Sequence, residues 1–74
     1  MMERAARESD VVALLRDLPD EGLKRGQVGA VVDARDGDSA VMVEFVDAQG
    51  RTTAWPHIAR ADLLVLLQTM AAAE

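Results

Sequence analysis

Between Gln27 and Val46 apolar residues return at alternate positions, the spacing of β-strands with one face in a core. Val28, Ala30, Val32 and Ala34 share one face of a strand predicted over Gln27–Arg35. On a second strand, Ala40–Val46, Val41, Val43 and Phe45 alternate with Met42, Glu44 and Val46. Glu44 marks the wet face, which puts Val41, Val43 and Phe45 inside. Asp36-Gly37-Asp38-Ser39 separates the two runs, and Asp-Gly between apolar stretches is a hairpin signal. The pattern thus predicts Val28, Val32, Val43 and Phe45 packed together at the centre of a small bent sheet.

Turn chemistry divides the rest of the chain. Asp47-Ala48-Gln49-Gly50 leads into a short strand, Arg51–Trp55, which Pro56 is expected to stop. Upstream, Leu18-Pro19-Asp20-Glu21-Gly22-Leu23 reads as a loop, with φ fixed at Pro19 and positive φ open to Gly22. Gly26 suits a tight turn, and Gly29 marks a bend or a close backbone approach of the kind a small barrel needs. Two apolar runs read either way. Val11, Leu14, Leu15 and Leu18 fit a helical stripe, yet the paired valines of a short run ending near Pro19 fit a buried strand. Leu63–Leu67 is either a closing strand or the start of a helix capped by Asp62 and running to Ala73. Residues 1–9 show no apolar face and read as a flexible N-terminus or short helix.

Composition narrows the class. Seventy-four residues hold a single domain, near the size at which a core alone supplies only about 3–5 kcal/mol. Half the residues are apolar but Phe45 and Trp55 are the only aromatics, so the core is built from Val, Leu and Ala. The absence of cysteine removes disulfides and thiolate zinc sites and fits a reducing compartment. No apolar run exceeds the five residues of Leu63–Leu67, far short of the roughly 20 residues of a membrane span. With a mixed-charge N-terminus in place of a signal peptide, a cytoplasmic protein away from membranes is expected. The net charge of −5 is spread evenly, with six Lys/Arg against eight Asp/Glu over residues 1–37 and two against five over 38–74. It reads as a solvated surface that would favour a basic partner over an acidic one.

Catalytic material is sparse. His57 is the only histidine and sits between Pro56 and Ile58, where a turn residue is expected. Asp33, Asp36 and Asp38 lack the remaining ligands of a calcium loop. Ser9 and Ser39 have no neighbouring base, and Gly26-Gln27-Val28-Gly29 lacks the Lys and following helix of a phosphate cradle. No catalytic residue, metal ligand, cofactor or small-molecule substrate is expected, and the protein reads as a non-enzyme.

The order of pieces resembles a known family. Asp10-Val11-Val12-Ala13-Leu14, Leu18-Pro19, Gly22-Leu23, Gly26-Gln27-Val28-Gly29-Ala30-Val31-Val32, Val43-Glu44-Phe45 and Gly50-Arg51 are similar to the DUF4926 family of small, uncharacterised bacterial proteins, over about residues 9–67. The stretch Lys24–Val32 also resembles the glycine-centred turn of KOW-type and other SH3-like barrels. The likeness implies a mainly β chain, a five-stranded SH3-like barrel over residues 10–67 with short helical or disordered ends. Residues 10–15 become its first strand, 63–67 its last, and 68–74 a helical or disordered tail.

Function is expected in an interaction surface. With Val41, Val43 and Phe45 inside, Met42 and Val46 look outward, and Trp55 before Pro56 could anchor a partner beside them. The expected role is a protein-interaction module, either self-associating or an acidic accessory, antitoxin-like protein. The alternative that the KOW likeness raises is a nucleic-acid- or ribosome-associated module using Lys24, Arg25, Arg35 and Arg51. The acidic balance and the two aromatics argue against it, because phosphate contacts need clustered cations and single strands need stacking platforms.

Overall fold

A computed structural model describes residues 6–35 and 37–67. These form β1 (Val11–Leu14), β2 (Val28–Asp33), β3 (Ala40–Val46), β4 (Thr52–Ala54), β5 (His57–Ala59) and β6 (Leu63–Leu67). Two short 3-10 turns, Pro19–Glu21 and Arg60–Asp62, interrupt the strands, and there is no α-helix among the described residues. Both ambiguous runs are therefore strands. The expected tail, residues 68–74, lies outside the described residues, as do residues 1–5.

All pairings are antiparallel, in the order β4-β3-β2-β1-β6, with β5 also on β3. Among the described residues β6 pairs with β1 alone, so the sheet is mainly β architecture with an open edge and not a hydrogen-bonded closed ring. The six strands replace the five expected because the strand after Gly50 resumes beyond Pro56. Phe45 faces Ala54 and Met42 faces His57, so β4 and β5 keep one register along β3. The Pro56 carbonyl accepts from Val43 N at 3.0 Å and bridges the gap. Proline lacks only its N–H, so the Val43–Pro56 pair keeps one of its two bonds and loses the reciprocal one, and the pairing resumes at His57.

The hydrophobic centre holds Val12, Leu14, Leu23, Val31, Val41, Val43, Phe45, Ile58 and Leu63. Val43 and Phe45 are fully enclosed, as the alternation on β3 predicts. Val28 and Val32 are not: they are 50% and 39% exposed, whereas Val31 between them is 1% exposed. The inward positions of β2 are Gly29 and Val31. A Cβ on Gly29 would stand 2.8 Å from the Glu44 carbonyl oxygen, from Phe45 Cε2 and from Val43 Cγ1. The inward face of β2 is thus partly a missing side chain, and its outward face carries the valines. An irregularity between Val31 and Asp33 then returns Ala34 to the core.

The connection between β1 and β2 is folded on itself. Leu18 and Leu23 exchange backbone hydrogen bonds at 2.9 and 3.1 Å, and Leu23 is buried beneath them. Gly22 at φ 72° closes the first 3-10 turn, the positive φ its position requires. Asp17 Oδ1 accepts from Arg25 N at 2.8 Å, and Gly26 N donates to the Leu14 carbonyl at 2.7 Å. Residues 6–9, part of the segment expected to be flexible, contact the body. Ala6 is buried, Ser9 N donates to the Val31 carbonyl at 2.7 Å, and Arg60 Nη1 donates to the Ala6 carbonyl at 2.8 Å.

Candidate interaction surfaces

Strand registers define an outward face of the sheet. Val11 stands opposite Ala30 and Ala30 opposite Glu44, while Ala13 lies between Val28 on one side and Leu64 on the other. Their alternates Val12, Gly29, Val31 and Val43 point into the core. Of the seven large hydrophobic residues that are exposed among those described, Val28, Val32, Val46, Leu64 and Leu66 all stand on this face. The count decides what kind of surface it is: single exposed apolar residues are ordinary, but a contiguous set on one face is not.

The expected interface residues separate in space. Val46, 52% exposed, borders a shallow groove with Val11, Val28, Gly29, Ala30 and Glu44. Glu44 is half-buried at its margin and accepts a hydrogen bond from the Thr52 hydroxyl. Met42 is half-buried on the same side of β3, opposite His57 on β5 and Asp33 on β2. Trp55, 61% exposed, lies in a different hollow with Asp20, Glu21, Thr53, Ala54 and Pro56. Asp20, Glu21 and Pro56 also border a neighbouring hollow that includes His57 and Asp17. Val46 and Trp55 therefore serve two surfaces, one apolar and one acid-rimmed. Among the described residues no three acidic or histidine side chains are grouped as a metal site.

Sequence reasoning missed Val28, Val32, Leu64 and Leu66 as surface residues. The available signal was Leu63–Leu67 itself: a strand apolar at every position has an apolar outer side whichever face is buried. It also missed Arg60, whose Nη1 and Nη2 donate to the carbonyls of Ala6 and Arg35, both at 2.8 Å. That guanidinium ties the start of the described chain to the end of β2, and nothing in Ala59-Arg60-Ala61 announces it. Of the cations a nucleic-acid surface would use, Arg51 is paired with Asp47 at 3.5 Å across the Asp47–Gly50 turn. Among the described residues no helix is long and apolar enough to cross a membrane.

Comparison with curated proteins and with solved structures finds no match. The family model described as a domain of unknown function, DUF4926, matches residues 8–65. That span takes in every strand from β1 to β5 and most of β6, and the chain belongs to the DUF4926 family.

Proposed function

We propose that this protein is a non-enzymatic protein-interaction module built on an SH3-like barrel, and that it binds through the outward face of its sheet. The single observation that carries the reading is the concentration of exposed Val28, Val32, Val46, Leu64 and Leu66 on that face. The barrel assignment is supported by the strand order. A long folded loop follows β1, β2 and β3 form a central hairpin, β4 and β5 share one register, and a 3-10 turn precedes the last strand. Removing contiguous apolar surface from water favours association by about 25 cal/mol per Å² before the costs of ordering. The chain's acidity favours a partner that is neutral or basic where it approaches.

Lysine at Val28 and at Leu66, placed separately, tests the reading at two ends of the face. Both side chains are about half exposed, so each variant is expected to fold. A tagged chain in native cell extract should retain a specific protein, an added untagged copy of itself included. At least one of the two substitutions should abolish that retention; equal retention by both variants and the wild type would overturn the reading. Retention on heparin at low salt would favour the KOW-like alternative instead.

A further inference from the structure

We infer that the partner includes a second copy of this chain, paired antiparallel along the free edge of β6 about a two-fold axis at Val65. The inference deepens the interaction-module reading and rests on it.

The two edges of the sheet are built differently. The β3-flanking edge consists of two three-residue strands separated by Pro56, with Arg51 before and His57 after the break. Short strands, proline and charge are the devices by which proteins keep an edge from pairing. β6 has none of these three, although its ladder to β1 shifts register between Val65 and Leu67, with Leu66 the extra residue. The strand is five residues long, Leu63-Leu64-Val65-Leu66-Leu67, without proline, glycine or charge. It is also apolar on both sides, with Leu63 buried, Val65 packed against the core, and Leu64 and Leu66 39% and 50% exposed. Such a composition belongs to a strand with cover on both faces, and on the outer one Leu64 and Leu66 have none among the described residues.

Hydrogen-bond phase shows which backbone groups face outward. Leu15 N donates to the Asp62 carbonyl at 2.8 Å, so Asp62 and, one alternation on, Leu64 direct their backbone groups to β1. Val65 then directs both its N–H and its C=O to the open edge, where no strand lies among the described residues. A residue that presents both groups can exchange both bonds with its own copy across a two-fold. Centred there, the pairing sets Leu64 opposite Leu66 of the second copy, and Leu66 opposite its Leu64. The sequence of β6 reads the same in both directions, so the register sets leucine against leucine on either side of Val65, with the irregularity at Leu66 at its margin. The outward apolar faces of the two copies then run into one.

Charge selects the same place. Each copy carries −5, so two copies repel over most of their surface, but β6 holds no ionisable group. Asp62 at its start is paired with Arg16 at 3.0 Å. A stable dimer buries about 800 Å² per partner, roughly a sixth of the 5184 Å² surface. Five residues of edge give less, so the association belongs with the small, weak interfaces.

Sedimentation velocity of the full chain over a concentration series reads the dimer. Leu66→Lys should raise the dissociation constant at least about tenfold, equivalent to about 1.4 kcal/mol, and by more than Val28→Lys does, while Ala48→Lys in the exposed turn after β3 leaves it unchanged. Register is read by cross-linking, since the wild type has no cysteine. A mixture of Leu64→Cys and Leu66→Cys chains should form a mixed disulfide dimer under mild oxidation, and neither variant alone should do so. A wild type that stays monomeric throughout overturns the inference. So does a dimer weakened by Val28→Lys and not by Leu66→Lys, although that outcome keeps the outward face as a binding surface. Slow amide exchange at Val65 in a monomer would show the edge filled within the chain, and equally overturns it.

Discussion

Gly29 fixes how β2 sits on β3, through the atoms it lacks. Its φ is that of ordinary strand, so conformational freedom is not the reason for glycine; space is. Alanine there would bring a methyl group to 2.8 Å from a backbone oxygen and from two enclosed side chains, Val43 and Phe45. Neither side chain has room to retreat, because both are fully buried, and the carbonyl is held in the β2–β3 pairing. Gly29→Ala should therefore destabilise the fold by about 1–3 kcal/mol, the usual cost of overpacking, despite alanine's lower backbone entropy cost. Urea denaturation of both proteins reads the difference; an unchanged or higher midpoint would mean that β2 can shift away from β3. Gly22 represents the opposite case, with open space around its Cβ position and a φ of 72°.

At the level of elements, the same glycine explains which parts of the fold were legible in the sequence. β3 was, in boundaries and facing, because Glu44 breaks an otherwise apolar alternation and marks the outer side. The extent of β6 was legible but its type was not, since five apolar residues fit a buried helix turn or a strand alike. β2 was placed correctly and faced wrongly. With glycine at one inward position, its outward side is the more apolar of the two, and alternation alone selects the wrong set. β5 is hidden in the sequence because Pro56 reads as a stop, although its carbonyl still serves Val43. Of the expected interface residues, Val46 and Trp55 are exposed, on separate surfaces, and Met42 is half-buried. The facing of β2 carries its own test. Lysine at Val31 would place a charge among fully enclosed side chains, a cost of several kcal/mol that exceeds the roughly 3–5 kcal/mol a domain of this size holds. Lysine at Val28 meets water and should change stability by no more than about 1 kcal/mol. Circular dichroism and thermal melts of the pair check this: Val31→Lys should be unfolded and Val28→Lys folded, and the reverse result would restore the inward placement of Val28.

For the molecule as a whole, the sheet order sets β6 and the Trp55 hollow at opposite ends of one path. From β6 it runs through β1 and β2 to β3, and only then to the strands on either side of Trp55. The two ends differ in chemistry as well as position. At one, a charge-free edge presents backbone groups and leucines; at the other, an exposed indole sits beside Asp20 and Glu21. Two acidic copies brought together at the second end would set carboxylates against carboxylates, a repulsion that screening reduces but does not remove over the about 8 Å Debye length of physiological salt. The proposed pairing therefore uses the β6 edge and leaves Trp55 wet. Because Trp55 is the only tryptophan, its fluorescence reports this directly. Acrylamide should quench it equally in dilute solution and at concentrations where sedimentation shows the dimer. Added salt should strengthen the dimer only modestly, since no charge lies in the paired edge. Quenching that falls as the dimer forms would place the contact at the Trp55 hollow, and the two copies would then meet across β4 and β5.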